Sequence, residues 1–123
     1  MELDKDLAAR QEARALARQA ERCQHILADF PQEKLDAIVE GISRRFQQDA
    51  SRLAAMAVEE TGFGNAKDKT EKNLFASERV AEAVRSMKTV GILAEKPGLW
   101  EIGIPVGVIA AIVPSTNPTS TVC

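Results

Sequence analysis

The stretch Ile112-Val113-Pro114-Ser115-Thr116-Asn117-Pro118 holds the residues of this chain best suited to chemistry. An uncharged, β-branched run stops there at two prolines with two hydroxyls and one amide between them. Pro114 and Pro118 each hold φ near about −65°, so Ser115, Thr116 and Asn117 are offered on a stiff turn as hydrogen-bonding groups. In open α/β sheets, ligands bind just beyond the carboxyl end of a strand, where free backbone N–H groups and small polar side chains converge. The same residues also suit a plain strand-to-helix turn, in which Ser115, Thr116 or Asn117 caps a short helix beginning near Thr119. No nucleophile can be named beside them. Cys123 has no base next to it, and Cys23 lies on the apolar stripe of a helix, where it reads as a small core residue. Glu59 and Glu60 are adjacent in a helix, about 100° apart, and read as solvated rather than as an acid–base pair.

The elements that must position this turn follow from periodicity. Ala9, Ala13, Leu16, Ala20, Cys23 and Leu27 recur at spacings of three and four, which predicts a long amphipathic helix over residues 4–28. Pro31 suits the first turn of a second helix, whose buried stripe is Leu35, Ile38, Val39, Ile42 and Phe46. Asp49 can cap a third helix that Gly62 closes, with Leu53, Met56, Ala57 and Val58 inward. A fourth helix, over residues 66–87, turns Ala76, Val80, Ala83, Val84 and Met87 inward. Its first turn, with Lys67, Asp68, Lys69, Glu71 and Lys72, reads as a charged surface. After Lys88 the period becomes alternating. Residues 90–93 and 99–104 read as two strands joined by a breaker-rich linker, with Trp100, Ile102 and Ile104 on one face. Residues 106–113 have the continuous apolar character of a strand covered on both sides.

Composition bounds the partners. The chain has 123 residues, 16 Lys and Arg against 18 Asp and Glu, and a formal net charge of −2. That balance offers no basic stripe for nucleic acid. The apolar run 106–113 is far shorter than the ~20 residues of a membrane-spanning helix. The first residues lack the basic and apolar regions of a secretory signal, which predicts a cytoplasmic protein. Two cysteines make no disulfide framework. Every charged side chain lies at or before Glu101. A parallel strand needs its crossover and its neighbours, and neither follows within these residues, so a fragment is expected.

Thr61-Gly62-Phe63-Gly64, Asp68-Lys69, Lys72-Asn73, Phe75-Ala76-Ser77-Glu78, Lys88-Thr89-Val90-Gly91, Pro105-Val106-Gly107-Val108-Ile109 and the run from Ile112 to Thr121 together resemble the start of CoA-acylating aldehyde dehydrogenases. The similarity is to the aldehyde dehydrogenase half of bifunctional aldehyde-alcohol dehydrogenases, and to acylating enzymes for acetaldehyde, propionaldehyde and sulfoacetaldehyde. It runs in order from about Leu35 onward. The resemblance implies an α/β, aldehyde dehydrogenase-like fold: a helical part over 1–89, oligomerisation-type strands over 90–104, and the start of an NAD-binding domain over 105–123. It implies a reaction between a small aldehyde and its acyl-CoA, in which a cysteine thiolate attacks the aldehyde, NAD takes the hydride and coenzyme A releases the acyl group. The nucleophilic cysteine of the family falls beyond position 123. By the same resemblance Ile112, Val113, Pro114, Ser115, Thr116 and Asn117 form part of the NAD-binding wall beside the reacting carbon.

One departure leaves a role open. Hydrolytic aldehyde dehydrogenases carry Pro-Trp-Asn-Phe-Pro here, with the oxyanion-holding Asn third; in this chain the third residue is Thr116 and the fourth Asn117. Both remain candidates. The glycines of Thr61-Gly62-Phe63-Gly64 lack the preceding strand of a dinucleotide fingerprint and read as a helix stop and a turn. The resemblance of residues 90–104 to a subunit-bridging sheet implies a homo-oligomer. Some acylating relatives enter bacterial microcompartments through an amino-terminal peptide set off by a linker, whereas Leu3 and Leu7 here run straight into the first helix. A non-catalytic helical interaction module is the competing reading, resting on the long first helix and the missing catalytic groups.

Overall fold

The computed structural model describes residues 4–123, which cluster into two units, residues 4–31 with 89–110 and residues 32–88 with 111–123. In the first, α1 (Lys5–Leu27) is a single amphipathic helix. None of its residues is fully buried, and Cys23 is exposed, against the expectation of a core thiol. The last part of its apolar stripe, Ala20, Cys23 and Leu27, lines a shallow apolar groove with Gly107, Val108 and Ile109. Strands β1 (Gly91–Lys96) and β2 (Leu99–Gly103) form an antiparallel hairpin. Pro97 and Gly98 make its two-residue turn, and Gly98 takes φ +77, a value that glycine reaches without steric cost. Ile92 faces Ile102 while Ala94 faces Glu101, so Leu93 is an extra residue in β1 that bulges the ribbon. Lys96 and Glu101 pair across the hairpin at 3.1 Å.

Residues 106–113 are not a strand. Strand pairing requires a neighbour to take the ladder hydrogen bonds, and none of the described residues supplies one. The run is instead uncovered, with Val106 88% and Ile112 98% exposed.

The second unit begins with one continuous helix, α2 (Gln32–Thr61), where two were expected. Asp49 does not cap a new helix. Its carboxylate receives Arg52 at 3.0 Å and Arg45 at 2.7 Å, a helical i−4 and i+3 pairing that bridges the expected break. The hydrogen bonds from Arg52 and then Arg45 hold the Asp49 carboxyl below the usual carboxylate range. Thr61 closes α2 by donating to Ala57 O at 2.6 Å, and Gly62, at φ +70, returns its N–H to Val58 O at 2.8 Å. Asn65 starts the next helix: its Oδ1 accepts from Asp68 N at 2.9 Å, and its Nδ2 donates to the Asp68 carboxylate at 2.8 Å. This helix runs as α3 (Ala66–Leu74), a π-helical turn (Phe75–Val80) and α4 (Ala81–Val84) without a break. A last short helix, α5 (Pro118–Val122), begins on Pro118, whose missing N–H costs nothing at a first helical position.

Small and polar residues, not the large apolar ones, form the buried seam. On α2 it is Ser43, Ala50, Ala54 and Ala57, while Ile38, Val39, Ile42 and Met56 stay exposed. On the facing helix it is Lys69, Asn73 and Ser77, spaced by four, while Val80, Val84 and Met87 stay exposed. Alanines at helical spacing let the two helices come close enough for side chains of one to reach the backbone of the other.

Candidate functional site

Asn73, 1% exposed, ties three elements together. Its Nδ2 donates to Ala50 O of α2 at 2.9 Å, and its Oδ1 accepts from Thr119 Oγ1 of α5 at 2.8 Å. Ser77 Oγ donates to the Asn73 carbonyl at 2.7 Å, and the Ser77 carbonyl in turn accepts from Ser43 Oγ and from Gln47 Nε2, the latter at 3.0 Å. The carbonyl of Ser77 lies inside the π-helical turn, where the wider backbone ring frees acceptors for partners on α2. A buried amide with both ends paired costs little, and losing either partner would cost the desolvation of the other.

The same helix reaches the turn. Lys69 is 6% exposed, and its ammonium donates to the Thr116 carbonyl at 2.5 Å. Lys72 Nζ donates to Asn117 Oδ1 at 2.9 Å, and Asn117 Nδ2 approaches Thr116 Oγ1 at 3.4 Å. The expected charged surface over residues 67–72 is therefore only partly that: two of its lysines grip the turn. Phe63, Gly64, Asn65 and Asp68 join Lys69, Lys72, Thr116 and Asn117 around a shallow cavity of about 290 Å³.

Of the residues singled out from the sequence, Thr116 and Asn117 are brought against α3, whereas Ile112, Val113, Pro114 and Ser115 are exposed on the run that leads to them. The capping alternative does not hold in its simple form. Asn117 occupies the position before α5, yet its side chain makes no bond to a helix N–H and turns to Lys72 instead. Its backbone carbonyl does enter the helix, accepting from Thr121 N at 3.3 Å and Thr121 Oγ1 at 2.7 Å. Glu59 and Glu60 are exposed, as expected of solvated carboxylates. Cys123 is exposed, and partial desolvation pushes its thiol up. Lys69, Asn73 and Ser77 were not singled out as a buried set. The available signal was their repeat at i, i+4 and i+8 along a helix whose apolar stripe is weak.

An exposed apolar run leads into a proline-bounded polar turn clamped on a helix, and known proteins share this fold. An acetylating aldehyde dehydrogenase from Geobacillus thermoglucosidasius superposes with a TM-score of 0.93 at 50% identity, covering 97% of this chain and 27% of that one. Aldehyde-alcohol dehydrogenase 2 of Entamoeba histolytica is 46% identical over 100 residues, 80% of this chain and 12% of that protein. The acylating sulfoacetaldehyde dehydrogenase of Bilophila wadsworthia is 40% identical over 106 residues, 83% of this chain and 23% of that protein. No protein-family model matches. By sequence and by fold, the chain is similar to a segment of the acylating aldehyde dehydrogenases. It spans between 12% and 23% of the length of these two curated relatives.

Proposed function

We propose that these residues serve an NAD-dependent, coenzyme A-acylating aldehyde dehydrogenase that interconverts a small aldehyde and its acyl-CoA, with residues 112–117 walling the nicotinamide side of the site. The observation that carries this reading is the double grip of Lys69 and Lys72 on the Thr116 carbonyl and the Asn117 amide. Two lysines holding one turn fix where its hydroxyls and amide sit, as a site that must present donors at a defined place requires.

The residues fit the cofactor. Ile112 and Val113 expose apolar surface suited to a flat ring, and Ser115, Thr116 and Asn117 follow with hydroxyls and an amide suited to a carboxamide and a ribose. The chemistry the cofactor supplies when bound is hydride acceptance. Ile112 and Val113 would pack against the ring, and Thr116 or Asn117 would offer a donor to the developing oxyanion. The nucleophilic thiolate is assigned to none of the 123 residues. The exposed Leu99, Trp100 and Ile102 of the hairpin support assembly with further copies.

The test uses a relative-length acylating enzyme carrying this sequence in the matching segment. If Thr116 or Asn117 donates to the oxyanion, Thr116→Val or Asn117→Ala lowers kcat by roughly 10²–10³ with NAD affinity little changed. If it shapes the cofactor wall, apparent NAD affinity weakens while kcat at saturation survives. Parental kinetics in both variants would remove the turn from the active site.

A further inference from the structure

Thr116 and Asn117 are equal candidates for the oxyanion by sequence, and the contacts from α3 separate them. A lysine ammonium carries donors only, so the end of the Asn117 amide that meets Lys72 at 2.9 Å is its oxygen, Oδ1. The opposite end, Nδ2, is thereby fixed as the donor: one of its N–H groups goes to Thr116 Oγ1 at 3.4 Å, and the other is the one a ligand oxygen can take. Reversing the amide would set its NH₂ against the ammonium, donor against donor. The backbone under the amide is held as well. The Thr116 carbonyl accepts from Lys69, and turning that peptide would strip a buried ammonium of a hydrogen bond. Lys69 thus fixes the peptide, and Lys72 fixes which end of the side chain donates.

We propose that Lys72, on a backbone pinned by Lys69, is a positioning residue that orients the Asn117 amide so that its Nδ2 donates to the oxyanion of the reacting aldehyde or thioester carbonyl. The assignment rests on the reading of this turn as part of the active site. Lys72 touches neither substrate nor cofactor in this scheme. Its influence passes through Asn117.

The experiment is a double-mutant cycle in the relative-length enzyme carrying this sequence, measured as kcat and as apparent NAD affinity. Lys72→Met frees the amide to take either orientation, and kcat is expected to fall about tenfold, less than deletion of the donor itself, with NAD affinity within about twofold of the parent. Lys72→Arg and Lys72→Gln, which keep a donor toward Oδ1, recover most of that loss. In an Asn117→Ala background, Lys72→Met has no further effect, because the group it orients is gone. Full kcat for Lys72→Met beside an impaired Asn117→Ala would overturn the positioning role and leave the turn in the active site. Independent, multiplying losses in the double variant would overturn it too. Parental kinetics for Asn117→Ala would overturn both the reading of the turn and the role given to Lys72.

Discussion

Asn73 shows how much of this structure depends on single polar side chains. Its amide joins α2 to α5 through Ala50 O and Thr119 Oγ1, and it is almost completely enclosed. Asn73→Ala leaves the Thr119 hydroxyl and its own cavity without partners, and is expected to destabilise the protein by about 1–3 kcal/mol, read from the denaturant midpoint. An unchanged midpoint would show that the three-element tie is not a structural requirement. None of this was legible from periodicity, which scores apolar residues. An asparagine in a charged helix reads as surface until a facing carbonyl is known. The residue types of the turn were legible because two prolines bracket them, but their partners Lys69 and Lys72 lie more than forty positions away in the chain.

At the scale of elements, the α1 helix and the short helix at Pro118 follow local signals and were readable nearly to their ends, whereas the first hairpin strand runs to Lys96, through residues expected as linker, because Ala94, Glu95 and Lys96 pair with β2. The boundaries that moved did so for physical reasons. Asp49 is equally a cap and a helical ion-pair partner, and only the presence of Arg45 and Arg52 in its helix decides for one long α2. The seam of small residues on α2 was hidden because alanine satisfies any pattern. The apolar run 106–113 was expected as a covered strand, and covering is a property of neighbours, not of the run itself. With Val106, Ile109 and Ile112 exposed, the 123-residue chain is expected to self-associate, increasingly so with concentration in sedimentation experiments. Hydrogen exchange gives the sharper reading. Strong protection of residues 106–113 in a demonstrably monomeric sample would contradict it.

For the whole molecule, a polar seam between two helices holds a proline-bounded turn in place, and the proposed function makes that turn one wall of a dehydrogenase site. The fold superposes on an acetylating aldehyde dehydrogenase over nearly the entire chain. The central claim is the location of the cofactor. It is tested most directly by the structure of a relative-length enzyme, carrying these residues in the matching segment, crystallised with NAD. The account predicts the nicotinamide and its ribose in van der Waals or hydrogen-bond contact with residues 112–117, with Lys69 still on the Thr116 carbonyl and Lys72 still on Asn117 Oδ1. Clear density for NAD bound elsewhere, with residues 112–117 touching only protein, would contradict it.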